Sequence, residues 1–141
     1  MTKHFTLTEA NRLLPELQRD LKELQELARE MERQMRELKL RKAKQQPSVS
    51  GQSADLEPDS FFEQEGRIEF MQLEAEMKVA NFARKGVMLK MLDPGLIDFP
   101  SELNGQEVLI CWKEGEEAAT HYHSWRDGYA GRQRHPEAGE D

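Results

Sequence analysis

Apolar side chains recur at Ala10, Leu14, Leu17, Leu21, Leu24, Ala28, Met31, Met35 and Leu38, and the spacing alternates between four and three over four heptads. Such a repeat lays every apolar side chain along one face of a helix and demands a partner helix to cover it. It predicts a helix over residues 8–45 with a coiled-coil-like seam. Thr8 is placed to cap the start, and Glu9 to set negative charge in the first turn. Pro15 removes one backbone donor and is expected to kink the helix or begin its long part. Leu13, Leu27 and Leu40 lie beside the seam and widen its apolar face.

Residues 46–58 (QPSVSGQSADLEP) carry two prolines, a glycine and three serines without periodicity. They read as a flexible connection at the tip of a helical hairpin. Asp59 or Ser60 is placed to cap a second helix over 59–85. Its apolar face is expected to include Phe62, Ile68, Phe70, Leu73, Met77, Ala80 and Ala83. Gly86 follows Arg84 and Lys85, the layout of a helix end closed by a left-handed glycine. Two long helices joined this way pack antiparallel.

After Gly86 the period falls to two. Val87, Leu89 and Met91 mark a first strand, and Asp93-Pro94-Gly95 reads as a type II corner with positive φ at the glycine. Leu96–Pro100 is a second strand and Asn104-Gly105 a hairpin turn. Val108–Lys113 is apolar on both faces and so central. A fourth strand falls near Ala118–Ser124. The order predicts an antiparallel meander with its C-terminal loop over 87–132, and a frayed polar tail over 133–141. The fold class is α+β, and residues 1–141 read as a single domain.

Composition narrows the function. Leu, Ile, Val and Phe make up 29 of 141 residues, so elongated helices suit the chain better than a compact sphere. The longest apolar run, Val108–Trp112, cannot span a bilayer. The opening residues show no basic-then-apolar leader pattern, so a cytoplasmic location is expected. Residues 1–46 carry a net charge of +3, residues 47–92 a net −3 and residues 93–141 a net −7. That balance argues against nucleic acid as a partner. Arg36, Lys39, Arg41, Lys42 and Lys44 form a local basic run, best read as cations complementing a helix C-terminus.

The segments FTLTEANRLLPEL (Phe5–Leu17), GLIDFP (Gly95–Pro100), GQEVLICWKEGE (Gly105–Glu116) and YHSWRDGYAGRQ (Tyr122–Gln133) are similar to a bacterial family catalogued as domain of unknown function 2203. The resemblance covers nearly the whole chain. His123, Gly128, Tyr129, Gly131 and Arg132 match the family's C-terminal pattern, whereas Tyr122 stands where members often carry Trp, and His121 lies outside the pattern. The resemblance implies a family and no activity.

The candidate ligand-binding residues are Asp98, Trp112, His123, Gly128, Gly131 and Arg132. His121 and His123 share one strand face, and Asp98 or Cys111 is a conceivable third ligand, but an isolated pair with unspecific spacing leads us to expect no metal site and no cofactor. Gly128 and Gly131 permit a tight turn beside the planar fork of Arg132, which suits a carboxylate or phosphate; the simpler reading is a loop tucked onto the sheet by Arg132 bonding Asp98 or backbone carbonyls. Trp112, Tyr122, Trp125 and Tyr129 fall within eighteen residues and are expected to cover the sheet. Cys111, the single cysteine, excludes an intrachain disulfide, and burial in a two-sided strand makes its thiol inert. No nucleophile triad or phosphate loop is present, so the leading reading is non-enzymatic: a structural or interaction protein that forms a homodimer, or binds a helical partner protein, through its hairpin. The alternative is a small-ligand-binding protein or enzyme with a site around Asp98, His123 and Arg132.

Overall fold

The computed structural model describes residues 3–45 and 58–139. The chain forms α1 (Leu7–Lys44) and α2 (Pro58–Arg84), then β1 (Met88–Met91), β2 (Leu96–Leu103), β3 (Gln106–Lys113), β4 (His121–Ser124) and β5 (Gln133–Arg134). The strands lie in chain order in one antiparallel sheet with β3 at its centre, the α+β architecture of two helices followed by a meander. The connection expected over 46–58 lies outside the described residues, apart from Pro58, which opens α2 where its missing N–H has no helical acceptor to lose. No helix of the described residues is long and apolar enough to cross a membrane. The described residues group into two compact units, one within the spans 1–23 and 78–141 and the other within 24–77.

In the first unit, α1 starts one turn-position earlier than expected. Thr6, not Thr8, is the cap: its Oγ1 accepts from the Glu9 N–H, and the Glu9 carboxylate accepts from the Thr6 N–H. This reciprocal box satisfies two orphan backbone donors, and Thr-x-x-Glu spells it in the sequence. Glu9's carboxyl is held below the usual carboxylate range, first by that backbone hydrogen bond. Pro15 lies inside α1 without ending it. α2 closes as expected, with Gly86 at φ 85° and the Val87 and Gly86 N–H groups donating to the Phe82 and Ala83 carbonyls.

The sheet is fastened to α1 and its leader by polar contacts at several points. Phe5 N–H donates to the Pro100 carbonyl, the Ser101 hydroxyl donates to the Phe5 carbonyl, and the Phe5 and Phe99 rings meet edge to face at 5.4 Å. Asn11 reads both backbone groups of Ala119 ahead of β4, accepting at 2.7 Å and donating at 3.0 Å. Asn104 and Gly105, both at positive φ, form the two-residue turn between β2 and β3. Gly95 departs from the expected corner: Asp93–Pro94 is cis, and Gly95 does not adopt positive φ. Glycine suits the position because a Cβ there would clash with Leu21 Cδ2 unless that side chain shifted. Residues 133–135, expected to begin a frayed tail, are instead tied to the sheet: β5 pairs with β4, and His135, buried, donates its N–H to the Thr120 carbonyl.

In the hairpin unit, the interior of α1 turns through Gln34 in place of Met35, which is exposed. Gln64 is buried opposite and donates to the Gln34 carbonyl and side-chain oxygen, while Arg41 donates to the Gln64 oxygen. The inner face of α2 follows Phe61, Gln64, Ile68, Met71 and Ala75, continued in the first unit by Lys78 and Phe82. These spacings alternate three and four as strictly as the seam of α1. Of the α2 residues expected on the apolar inner face, only Ile68 is buried; the real seam contains Gln64 and Lys78 and is invisible to a purely apolar pattern.

Leu21 is buried against Gly95, which generates a coupled expectation. Leu21→Ala should lower stability by about 2–5 kcal/mol. Gly95→Ala should cost about 1–3 kcal/mol through overpacking. In the double variant the new methyl enters the space Leu21 vacates, so the combined loss in denaturant midpoint analysis should fall short of the sum of the two. Strict additivity would show that the two sites do not touch.

Candidate functional site

β2 and β3 pair with Asp98 opposite Cys111, and β3 and β4 pair with Cys111 opposite His121 and Leu109 opposite His123. Because side chains alternate across a strand, Asp98, Cys111 and His123 emerge on the same face of the sheet. Their ligand-type atoms lie within 4.8 Å of one another, and the residues are 1%, 0% and 4% exposed. His123 Nδ1 lies 2.7 Å from the Ser124 carbonyl, which can only accept, so Nδ1 carries a proton. Nε2 therefore faces Asp98 Oδ2 at 3.2 Å, where a neutral ring and a carboxylate would oppose two acceptors. A shared proton or a bound cation resolves that opposition.

Asp98 Oδ1 is buried and has no hydrogen-bond partner among the described residues. An unsatisfied buried polar atom costs about 1–3 kcal/mol, more when charged. The Cys111 thiol is pushed up to about 12, by burial first and then by the neighbouring Asp98 carboxylate, with Arg132 pulling the other way. Both His123 ring nitrogens are engaged with Ser124 and Asp98, so His123 is not arranged as the base of a Cys–His dyad.

Arg132 does not bond Asp98. Its guanidinium pairs with the Glu116 carboxylate and lies 4.7 Å from the Tyr129 ring centroid. Glu116 is a hub that the sequence reading missed: its carboxylate also accepts from the Lys113 N–H, and its carbonyl accepts from the Trp112 indole. Trp112 is buried but follows Cys111 in β3 and so emerges on the opposite face. Gly128 and Gly131 shape the turn that carries Tyr129 and Arg132, with Gly128 at φ 65° and no room for a Cβ at Gly131 beside Asp127. His121 does not pair with His123; its Nδ1 lies 2.8 Å from the Thr120 hydroxyl. Trp125 and Tyr129 are exposed rather than covering the sheet. A groove of about 660 Å³, lined in part by Leu13, Ala83, Val87, Pro100 and Trp125, contains none of the three clustered residues.

A second feature belongs to the hairpin unit. Phe62, Phe70, Leu73 and Met77 of α2 are 59–77% exposed. With Gly66 they follow spacings of four, four, three and four, which places them on one helical face opposite the inner seam.

Two expectations follow from the geometry of the site. Arg132→Lys loses the fork and the ring contact and should lower stability by about 1 kcal/mol, a modest figure because the pair is partly exposed. Adding Glu116→Gln should cost little more than Arg132→Lys alone in thermal melts. Cys111, inaccessible and protonated, should resist iodoacetamide at neutral to mildly basic pH in the folded protein and react fully once unfolded; rapid native labelling would place the thiol at the surface.

A model of the family described as uncharacterized conserved protein (DUF2203) matches residues 3–135. Neither a curated protein nor a solved structure matches the chain. The family match spans both helices and all five strands, as well as Asp98, Cys111, His123 and Arg132, and the chain belongs to the DUF2203 family.

Proposed function

We propose that this protein is a self-associating structural protein whose partner is a second copy of itself, docked through the outer face of α2. The observation that carries the reading is the exposed stripe of Phe62, Phe70, Leu73 and Met77. Contiguous apolar surface of this kind marks an interaction face more often than an ordinary solvated one.

The stripe favours a second copy because its spacing reads the same in both directions. Residues 62, 66, 70, 73 and 77 are nearly mirror-symmetric about the position between Glu69 and Phe70. An antiparallel two-fold pairing sets Phe62 against Met77, Gly66 against Leu73, and the two Phe70 rings side by side. Nothing within 4 Å would meet a Cβ at Gly66, so it leaves a notch for the partner's Leu73. Arg67 of one copy then falls beside Glu74 of the other, an opposite-charge pair repeated by symmetry.

Sedimentation at micromolar concentration should give twice the chain mass. Leu73→Glu should return a folded monomer with unchanged helix content. Gly66→Leu fills the notch at no steric cost within the chain and should weaken association at least tenfold while leaving the monomer as stable or more so. A parent protein that stays monomeric at high concentration overturns self-association and leaves a helical partner protein as the occupant to be sought.

A further inference from the structure

We infer that Asp98, Cys111 and His123 form a binding site for one divalent transition metal of the zinc class, held by carboxylate, thiolate and imidazole. Around a tetrahedral ion with bonds of about 2.0–2.3 Å, ligand atoms stand about 3.3–3.8 Å apart. Asp98 Oδ2 and His123 Nε2 are already at 3.2 Å, and all three ligand atoms lie within 4.8 Å. A contraction of up to about 1.3 Å brings them onto one ion.

Three further features fit a cation better than a proton-sharing cluster. His123 is oriented for coordination, with Nδ1 donating to the Ser124 carbonyl and the Nε2 lone pair turned to the cluster. Asp98 Oδ1 is buried with no hydrogen-bond partner among the described residues, and an ion beside the carboxylate would supply positive charge there. The Arg132 charge near Cys111 is countered by Glu116, so it does not oppose a cation unopposed.

Charge and ligand softness set the class of metal. A thiolate and a carboxylate together neutralise a dication, and the thiol proton leaves to solvent as the sulfur–metal bond forms. Sulfur and imidazole donors disfavour magnesium and calcium and suit zinc, iron(II) or cobalt(II). Three protein ligands leave a fourth position for water or a small exogenous group. This departs from the expectation that the chain holds no metal, which rested on the His121–His123 pair; His121 is turned to Thr120 and takes no part.

The test uses the full chain, stripped with chelator and titrated with Co²⁺, both folded and during refolding from denaturant so that burial does not block entry. One equivalent should give a thiolate-to-cobalt charge-transfer band with tetrahedral d–d bands, and Zn²⁺ should displace it. Zn²⁺ should also raise Tm. Cys111→Ser should abolish the charge-transfer band. Asp98→Asn, which preserves shape and sulfur, should weaken cobalt binding at least about tenfold, and it serves as the deciding variant if Cys111→Ser does not fold. Absence of the band under both loading conditions, its survival in Cys111→Ser, or unchanged affinity in Asp98→Asn overturns the assignment.

Discussion

The apolar seam of α1 must be covered along its whole length, and the means of covering it organise the rest of the protein. In the unit that holds the sheet, Leu14, Leu17 and Leu21 are buried, and Leu21 reaches so close to the β1–β2 corner that a Cβ at position 95 would force it to shift. Asn11, one turn before Leu14, holds the backbone of Ala119 through two hydrogen bonds. In the hairpin unit the covering partner is α2, and the seam turns partly polar. A chain with so few aliphatic residues has little surplus for a second large core, so one long helix supplies the apolar face for both units.

The polar groups inside these units discriminate among arrangements more than they stabilise. Gln64 is satisfied only where Gln34 and Arg41 stand opposite it, so sliding α2 against α1 by one turn would strand a buried amide. That is the register-setting role best attested for a single polar layer in a helical interface. Asp98 differs because one of its oxygens has no hydrogen-bond partner among the described residues. A buried carboxylate retained at that cost is explained poorly by packing alone, since a similarly shaped apolar side chain would avoid the penalty.

The outline of the fold was legible because it rests on strong local signals. The four-three seam of α1 from Ala10 to Leu24, Gly86 at the end of α2 and Asn104-Gly105 between β2 and β3 each appear where the sequence places them. The differences arise where polar residues do structural work. Gln34 displaces Met35 from the interior because it can bond Gln64, and Gln64 and Lys78 complete a regular inner seam that an apolar count passes over. The Thr6–Glu9 box was readable but lost to the nearer-looking Thr8. At the site, Asp98 and His123 were both picked out and the sheet register brings them together. Cys111 is a conceivable ligand from the sequence but was left out of the site because a buried thiol reads as inert, and only the register shows it opposite Asp98. Glu116 carries no signal of its own before the turn at Gly115 directs it toward Arg132.

α2 carries large apolar side chains on both of its faces, unlike an ordinary surface helix. The covered face admits a buried glutamine and a half-buried lysine, while the open face carries two phenylalanines, a leucine and a methionine. Solvation alone would select the reverse, since each large apolar side chain returned to water forgoes about 1.5–3 kcal/mol of burial. The inner seam does not lack room for apolar residues, as Ile68 and Phe82 show. Placing the bulk outside while the inside is partly polar therefore fits a helix that serves two partners, one within the chain and one beyond it. The cluster of Asp98, Cys111 and His123 shares no residue with that stripe and belongs to the other compact unit. The association and the metal binding proposed above thus rest on separate side chains, and each can be tested without editing the residues of the other.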